Sequence, residues 1–551
     1  MLTELNRQYF FLNCFFSLFF LLHCGSFANE LRVSSLKAFP DDNQDDSQEI
    51  LRAINLAVKE KTFLVFESGQ YNIKTSFLIR NKNDFHLVGK NTTFIQASPV
   101  TCFDIRDCLF FSISGISVKY LDKTSLFCRV LSIGSFGSWL DFLNKSRITG
   151  TLQGLMFYDS GTFRFKNPDL YMKKVPAFIS EPESGISRIS NIPKNTLAVG
   201  DILALRPIIS GPPALRFTSC KSLSISSMQI FQSPGMGSLF DSCEDISLNH
   251  VRVTPDSDLP LSSNMDALHF VRCRGKIEIQ SSVFERMGDD AINVHGTYAR
   301  LTEVISTNTI QYVTGRRDVD WPAPAATVGD VVSIHHPTNP FGKPLVQGVV
   351  LSSQSGSEDK SLQITLDSPV SEDLPKDSVV WNQSASPSLV VTKCKFLNNR
   401  ARGILIQSSN ARIEDNWFQG MTGPAIKVTC DVGQWWESGP STNIVIRNNY
   451  ISDCNDGPGS AQGAITVNTD APGMKPIAGV HRNIEISENR IRDVGGMGIF
   501  VSSAANVRIL QNRLSTATPP FILVKDSTGV VIQENTTEDS TTSNHPTNSS
   551  Q

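Results

Sequence analysis

Short runs of β-branched and aromatic residues recur along most of the chain and alternate with glycine, asparagine, serine and aspartate. Early examples are Phe63–Phe66 and residues 75–79 and 85–88. Runs of four or five such residues between turn-forming residues are typical of β-strands. The pattern therefore predicts an all-β chain beyond residue 60.

One segment before residue 60 carries a helical pattern. Asp46 is followed three residues later by Glu49, and the apolar residues Ile50, Ile54 and Ala57 then recur at helical spacing. This arrangement predicts a capping box in which Asp46 is the N-cap of a single amphipathic helix. We expect this helix to cap the N-terminal end of the fold.

A repeat is clearest near the C-terminus, where an asparagine precedes two mostly apolar residues at Asn416, Asn449, Asn489 and Asn512, with Asn535 following. A period of 23 residues with longer intervals is typical of a parallel β-helix, because each coil is one unit and insertions are confined to its turns. We expect the asparagines to adopt the left-handed backbone of tight turns and to form a structural ladder through their side-chain amides. The predicted fold is a right-handed, pectin-lyase-like β-helix.

A second phase of the same repeat contains Cys220, Cys243 and Cys273. These cysteines are expected to stack inside the solenoid as small apolar residues. The cysteines beyond the first 28 residues include no CxxC pair, so the sequence indicates neither a zinc site nor a dense disulfide framework.

Two stretches interrupt the repeat, and each contains Val-Gly-Asp followed by two apolar residues, at 199–203 and 328–332. They are expected to be related β-barrel-like inserts, one or both of which wall the active-site groove. The predicted organisation is a signal peptide at 1–28, β-helix at 29–119, a first insert at 120–205, β-helix at 206–296, a second insert at 297–386, β-helix at 387–535 and a disordered tail at 536–551.

The N-terminus has the features of an export signal. An apolar run at residues 9–22 is followed by Ser26, Phe27 and Ala28, with small residues where a signal peptidase cuts. The run is shorter than the ~20 residues that span a bilayer, so we expect cleavage near Ala28 and a periplasmic or extracellular product rather than a membrane anchor. Lipid attachment at Cys24 is a minor alternative, since His23 is a poor fit before a lipidated cysteine.

Composition limits the partners. The 551 residues contain 50 Lys and Arg against 53 Asp and Glu, which gives a net charge of -3. This balance provides no electrostatic reason to expect a nucleic acid or an anionic membrane as partner. A neutral substrate is favoured, and the oligomeric state stays open.

The densest polar constellation contains three aspartates. Asp266 precedes Asp289 by 23 residues, the coil period, and Asp290 follows directly. Residues one period apart lie on the same face of a solenoid, so Asp266 should lie beside the pair. Crowded carboxylates raise the pKa of at least one member, which makes a general acid and a general base available for glycoside hydrolysis. A solvated turn and a calcium site remain alternatives at this point.

Five further residues are candidate sugar-binding groups. Asn293 and His295 alternate along the strand after the aspartates and so share a face, although a turn-capping and a structural role are alternatives. Trp435 and Trp436 are followed by Glu437 in an apparent loop. An aromatic ring can pack on the apolar face of galactose while a carboxylate accepts from its hydroxyls, and core packing of one tryptophan is equally compatible.

The aspartate segments resemble a known family. Residues 266–270, 273–275 and 289–298 are similar to the motifs of glycoside hydrolase family 110, as are residues 331–336 and 434–440, and the resemblance spans most of residues 35–535. Members of that family are exo-acting α-1,3-galactosidases.

The resemblance implies a β-helix with β-barrel inserts that removes terminal α-1,3-linked galactose, including that of the blood-group B determinant. It implies inversion at the anomeric carbon without a metal or other cofactor, and Asp266, Asp289 and Asp290 as the catalytic aspartates. The expected partner is an oligosaccharide or glycoconjugate with terminal α-galactose. Rival hypotheses are another β-helix polysaccharide hydrolase or lyase, for example one acting on pectin, and a glycan-binding adhesin without activity.

Overall fold

A computed structural model describes residues 30–121, 125–134, 139–143, 152–171, 179–183, 185–190, 192, 197–256, 259–318, 322–457, 462–516 and 519–537. The predicted signal peptide at 1–28 lies outside these residues. The predicted disordered tail begins with two residues that form a short strand, and its remainder from 538 lies outside them too.

The N-terminal part of the solenoid includes a 3-10 helix at Val33–Leu36 and an α-helix, α1, at Ser47–Glu60. Helix α1 buries Ile50, Ala53 and Ile54 in the same apolar core as the coils, which confirms the predicted capping helix. The first strands are β1 Glu30–Arg32, β2 Phe63–Phe66, β3 Gly69–Ile73, β4 Phe77–Arg80, β5 Asn83–Gln96, β6 Phe103–Arg106 and β7 Leu109–Tyr120.

The predicted capping box is wrong in its contacts. Asp46 is the N-cap residue of α1, but its side chain makes no capping hydrogen bond. Its Oδ2 instead accepts a hydrogen bond from the backbone N–H of Asn72, 26 residues away. The carboxylate therefore ties the helix to strand β3 rather than to the helix's own first turn.

The first insert is an antiparallel sheet with the strand order β11-β10-β14-β8-β9-β13-β12 among the described residues. It has apolar cores separate from that of the coils. Its strands are β8 Leu126–Ile133, β9 Trp139–Leu143, β10 Gly154–Tyr158, β11 Phe165–Leu170, β12 Ile179–Glu183, β13 Ile186–Ser190 and β14 Ile202–Arg206.

The coils after the first insert contain stacked aromatic residues, and Phe217, Phe240 and Phe270 lie one above another with ring centroids 4.8 and 4.6 Å apart. The predicted inward cysteines Cys220, Cys243 and Cys273 are buried. These coils comprise β15 Leu215–Thr218, β16 Lys221–Ser226, β17 Gln229–Phe231, β18 Ser238–Asp241, β19 Glu244–Asn249, β20 Arg252–Val253, β21 Leu268–Val271, β22 Arg274–Gln280 and β23 Val283–Glu285.

The second insert is a closed six-stranded antiparallel barrel with its own apolar core. One long strand starts in a coil and continues into the barrel, so coil and insert share it. The strands are β24 Ile292–Ser306, β25 Thr309–Thr314, β26 Val331–His335, β27 Val346–Ser355, β28 Leu362–Leu366 and β29 Val379–Asn382.

The remaining coils complete the predicted parallel β-helix, which the structure confirms. Their strands are β30 Ser388–Thr392, β31 Lys395–Leu397, β32 Ile404–Gln407, β33 Ala411–Glu414, β34 Trp417–Gln419, β35 Ile426–Val428, β36 Glu437–Ser438, β37 Thr442–Arg447, β38 Tyr450–Ser452, β39 Gly463–Val467, β40 His481–Ser487, β41 Arg490–Val494, β42 Met497–Val501, β43 Ala504–Leu510, β44 Arg513–Thr516, β45 Ile522–Val524, β46 Thr528–Gln533 and β47 Thr536–Thr537.

The asparagine ladder forms as expected in its hydrogen bonds. The side-chain oxygen of Asn489 accepts from both the backbone and the side-chain nitrogen of Asn449. The side-chain oxygen of Asn512 accepts from the same two nitrogens of Asn489. The left-handed backbone is found one residue earlier, at Asn448 and Glu488, rather than at the ladder asparagines. The ladder residues therefore point into the solenoid while their predecessors make the turn.

The strands of the coils form three parallel columns, and one of them, which we call the third column, carries the polar constellation. It contains β4, β6, β15, β18, β21, the start of β24, β32, β35, β39, β42 and β45. The first insert enters just before β15, and the second leaves from β24. Both inserts therefore emerge from the turns that border this column.

The Val-Gly-Asp phrase has the same geometry in both inserts. Gly200 and Gly329 have φ of 93° and 92°, and the next residue, Asp201 or Asp330, accepts a hydrogen bond from the backbone N–H three residues before it. A strand, β14 or β26, begins directly afterwards. The phrase is thus a structural turn.

In the described part of the chain, no helix has the length and apolar character that crossing a membrane requires.

Candidate active site

Two aspartates precede neighbouring strands of the third column at the same position. Leu268 of β21 pairs with Ile292 of β24, so Asp266 lies opposite Asp290, and the backbone N–H of Asp290 donates to Asp266 Oδ1 at 3.0 Å. Asp266 therefore lies beside the Asp289–Asp290 pair as predicted, but Asp290 rather than Asp289 stacks on it, because the coil is 24 residues long here rather than 23. Asp289 lies one residue earlier in the turn, and one oxygen of each aspartate lies within 4.8 Å of the others.

Two arginines that the sequence analysis did not single out neutralise this cluster. Arg402 donates to Asp290 Oδ2 through its guanidinium at 2.7 Å and to Oδ1 through its backbone N–H at 2.9 Å. Arg400 Nη1 donates to Asp289 Oδ1 at 2.9 Å. Arg402 lies two residues before β32, just as Asp290 lies two residues before β24. This shared position in the repeat could have identified Arg402 as a neighbour of Asp290.

Burial governs the protonation of the cluster. Asp266 and Asp290 are 4% and 1% exposed. Burial, and then the charge of Asp289, raises the pKa of Asp266 well above its usual range. Burial also raises the pKa of Asp290, with the Arg402 guanidinium opposing the change. The pocket therefore favours a protonated carboxyl at Asp266, which has no guanidinium bonded to it among the described residues.

A pair of histidines extends the cluster along the third column. His269 Nδ1 lies 2.7 Å from Asp266 Oδ2, and its Nε2 lies 3.0 Å from His295 Nε2. His295 Nδ1 lies 2.6 Å from the carbonyl oxygen of Gly296. Burial lowers the pKa of both imidazoles, while the charge of Glu437 acts to raise it. His269 lies within the motif at residues 266–270 but was not among the predicted site residues.

Strand β36 brings Glu437 to the same pocket. Thr297 of β24 pairs with Glu437 in antiparallel register, which places Glu437 Oε1 3.7 Å from His295 Nε2. Its other oxygen accepts from Gln407 Nε2. Burial acts to raise the pKa of Glu437, but the combined effect of His295, His269, the Gln407 hydrogen bond and the Arg402 guanidinium leaves it below the ordinary value. Glu437 is therefore an ionised carboxylate beside the two histidines.

Two side-chain amide oxygens in this region have no hydrogen-bond partner among the described residues. They are Oδ1 of Asn293, which is 5% exposed, and Oε1 of Gln407. Asn293 lies between His269 and Leu405 in the third column. A buried polar atom without a partner costs about 1 to 3 kcal/mol, so both atoms suit a ligand that supplies hydroxyl donors.

The predicted tryptophans contact the second insert. Arg316 lies over the Trp435 ring, 4.9 Å from its centroid, and the Trp436 carbonyl accepts from the Tyr298 backbone N–H. The Trp436 ring lies so close to Gly315 that a side chain at position 315 would collide with it. Both tryptophans are half-buried and fix the loop that presents Glu437.

The carboxylates suit hydrogen bonding better than metal binding. Five of their six oxygens already form hydrogen bonds with described residues: both of Asp266, both of Asp290 and Oδ1 of Asp289. Two guanidinium groups already supply positive charge. A cation would have to displace these donors and would be repelled by the arginines, so the donor set does not fit a metal site.

The fold and this cluster define a class of protein: a right-handed parallel β-helix with a buried acidic cluster in the column from whose turns both inserts emerge. A family model described as "Right handed beta helix region" matches residues 378–542.

Curated relatives give a narrower assignment. The chain is 26% identical over 357 residues to Alpha-1,3-galactosidase A of Shewanella woodyi, which covers 63% of this chain and 56% of that protein. It is 23% identical to Alpha-1,3-galactosidase B of Bacteroides thetaiotaomicron, with 82% of this chain and 77% of that protein covered. The match thus spans about half the length of the Shewanella protein. These relatives confirm the resemblance to glycoside hydrolase family 110.

Among solved structures, the Agl-KA catalytic domain is similar at 12% identity with a TM-score of 0.49, covering 94% of this chain and 66% of that one.

Proposed function

We propose that this protein is a glycoside hydrolase that removes terminal α-1,3-linked galactose from glycans of the blood-group B type or of the linear Galα1,3Gal type. The observation that carries the proposal is the cluster of Asp266, Asp289 and Asp290 at the third column. Galactosidase names among the curated relatives support the same substrate class.

The reaction needs one carboxylic acid and one carboxylate. The acid protonates the glycosidic oxygen as the C–O bond breaks, and the carboxylate takes a proton from the water that attacks the anomeric carbon. Asp266, with a raised pKa, suits the first task. Asp289, bonded to the Arg400 guanidinium, suits the second. Asp290 is the other candidate base, because the Arg402 guanidinium opposes the rise in its pKa that burial causes.

Inversion is the stereochemical outcome that the family resemblance implies. Inverting enzymes usually hold their two carboxyl groups ~6.5 to 9.5 Å apart. In this pocket the nearest oxygens of the three aspartates lie within 4.8 Å of one another. The spacing by itself therefore does not argue for inversion, and the anomer of the released sugar is the decisive measurement.

The sugar would occupy the part of the pocket lined by Asn293, His295 and Glu437. The unpartnered oxygens of Asn293 and Gln407 would accept from galactose hydroxyls, and the carboxylate of Glu437 would accept from another. Trp435 and Trp436 would hold the Glu437 loop and offer ring surface to the apolar face of the sugar. No cofactor is required for this chemistry.

The test is incubation of the protein with p-nitrophenyl α-galactoside and with a Galα1,3Gal disaccharide, with and without EDTA, while NMR follows the released anomer. Asp289→Asn is compared with Asp245→Asn, a matched change at an exposed aspartate outside the pocket. We expect β-galactose from the disaccharide, no effect of EDTA, and loss of activity only in Asp289→Asn. Absence of galactose from both substrates would overturn the proposal and favour a pectin-type polymer or a binding role.

Export is part of the proposal, because surface glycans are extracellular substrates. The support is the N-terminal pattern ending at Ala28. Expression of the full chain in a Gram-negative host, followed by N-terminal sequencing of the product, tests it. A product that keeps the apolar run at residues 9–22 would contradict cleavage.

A further inference from the structure

The outward side chains of the third column differ in exposure on the two sides of Asn293. Three successive ones towards the C-terminus are 4%, 8% and 0% exposed: Leu405, Lys427 and Thr466. Three successive ones towards the N-terminus are all partly exposed: His269, Leu239 and Arg216. The column is therefore closed on its C-terminal side and open along strands β21, β18 and β15.

This asymmetry gives the glycan a direction. The proposed function places the terminal galactose against Asn293 and Glu437, and it places the leaving oxygen at Asp266, in the turn before β21. The part of the glycan that leaves then lies over the open coils. Neighbouring strands are ~4.8 Å apart, so the two coils beyond β21 span about 10 Å, which is room for about two sugar units. Leu239 lies on the first of these coils and Arg216 on the second.

Arg216, at the far end of the open stretch, has a charge that its surroundings do not balance. Its Nε is buried without a hydrogen-bond partner, and no ion pair within the described part of the chain uses its guanidinium. The next outward residue of the column is Asp104, which is 8% exposed and accepts two hydrogen bonds from Arg106, at 2.9 and 2.6 Å.

The carboxylate on the other side is also taken. Asp241 lies two residues beyond Leu239 in strand β18, and it accepts hydrogen bonds from Arg272 at 2.7 and 2.6 Å. Both carboxylates that flank Arg216 in the column are therefore paired with another arginine. Arg216 remains a partly buried cation at the end of an open groove.

Such a cation fits an anionic ligand. Partial burial removes water from a guanidinium, and an anion that accepts two parallel N–H bonds replaces that water best. Carboxylate and sulfate oxygens have the geometry that this planar group matches. The net charge of -3 for the whole chain argues against a polyanionic partner, but it does not bear on one anionic group that meets one arginine.

We propose that Arg216 is a specificity-determining residue that binds an anionic group, a sulfate ester or a carboxylate, on the second sugar of the leaving part of the glycan. The inference rests on the proposed glycosidase function, which sets the direction of the glycan. The terminal galactose stays neutral, and the first leaving sugar lies over Leu239. The enzyme then prefers glycans that carry one negative charge two units from the galactose.

The first test compares three trisaccharides: Galα1,3Galβ1,4GlcNAc, its 6-O-sulfated GlcNAc form, and Galα1,3Galβ1,4GlcA. We expect kcat/KM to be at least about tenfold higher for an anionic form than for the neutral one, and this preference should shrink at high salt. A preference for the sulfate or for the carboxylate alone identifies the source of the anion and supports the inference equally.

The variants are compared through this ratio of anionic to neutral substrate, in which any loss of folded protein cancels. The ratio should fall to about one in Arg216→Gln and below one in Arg216→Glu, and Arg216→Lys should keep part of it because the charge remains. Arg513→Gln, at an exposed position in the last coils, should keep the full ratio. A ratio near one in the unchanged protein, or one that survives in Arg216→Gln, would overturn the inference.

Arg106→Gln serves if the Arg216 variants do not fold. It leaves Arg216 in place but releases Asp104, which can then pair with Arg216 and balance its charge. The ratio should therefore fall here too, although no group that contacts the ligand has been removed. An unchanged ratio in this variant would count against an uncompensated charge at Arg216.

A second measurement does not depend on hydrolysis. Isothermal titration calorimetry compares the binding of Galβ1,4GlcNAc with that of its 6-O-sulfated form, the two leaving parts. We expect the sulfated form to bind at least about tenfold tighter, and Arg216→Gln to remove the difference. If no galactoside is hydrolysed but this difference is found, the proposed function fails and the anion site stands. Hydrolysis without the difference leaves the proposed function intact and overturns the inference.

Discussion

Arg400 donates two hydrogen bonds to Asp169, although 231 residues separate them along the chain. Asp169 belongs to strand β11 of the first insert, and Arg400 belongs to the β-helix. The same guanidinium donates to Asp289 and lies over the ring of Tyr171, 3.9 Å from its centroid. The first insert thus helps to orient one of the three clustered carboxylates.

Asp169→Asn should lower activity without abolishing it. The change weakens the anchor of Arg400 and lets its guanidinium drift from Asp289, and we expect kcat/KM to fall at least about tenfold, which is ~1.4 kcal/mol of transition-state stabilisation. The matched control is Asp141→Asn, which weakens an ion pair with Arg188 inside the same insert. Steady-state kinetics on the disaccharide would contradict the role of Asp169 if both variants behaved alike.

Arg402→Gln should destabilise the fold in a pH-dependent way. Asp290 is 1% exposed, and removal of its guanidinium partner leaves a buried charge that costs about 3 kcal/mol at neutral pH. Burial already raises the folded-state pKa of Asp290, and the variant removes the opposing charge. A raised folded-state pKa gives stability at low pH that is lost as pH rises through that pKa.

The deficit of Arg402→Gln should therefore be smallest near pH 4 to 5 and grow towards pH 8. Denaturant unfolding of variant and unchanged protein at both pH values measures it. Arg412→Gln removes an exposed arginine that pairs with Glu414, and it should cost less than about 1 kcal/mol at either pH. A deficit in Arg402→Gln that is independent of pH would show that Asp290 does not carry the effect.

Asn293→Leu separates binding from folding. Asn293 Oδ1 has no partner among the described residues, so a leucine of similar size should leave the free energy of unfolding unchanged or slightly higher. If this oxygen accepts from a galactose hydroxyl, KM for the disaccharide should rise about tenfold. A marked loss of stability with an unchanged KM would mean that Asn293 is a structural residue of the coil.

The sequence predicted those parts of the molecule that repeat. The coil period predicted the asparagine ladder and placed Asp266 one coil before Asp289 and Asp290. Residues one period apart in a parallel stack lie on the same face. The period missed Asp290 as the stacking partner, since one extra residue in a turn shifts the register by one. The contact between Arg400 and Asp169 carries no periodic signal, because it depends on how an insert docks against the coils.

The ladder itself gives a prediction about stability. Asn489 lies in its middle: its oxygen accepts from two nitrogens of Asn449, and its Nδ2 donates to the Ile446 carbonyl and to Asn512. Asn489→Ala would leave several of these buried groups unpaired at about 1 to 3 kcal/mol each, with partial relaxation, so we expect a loss of about 3 kcal/mol.

Asn535 occupies the last position of the same ladder and is partly open to solvent. Water can replace its bonds, so Asn535→Ala should cost about 1 kcal/mol. Urea unfolding followed by circular dichroism compares the two variants. Because both remove the same side chain from the same repeat position, equal losses would mean that the ladder contributes through backbone geometry rather than through buried amide hydrogen bonds.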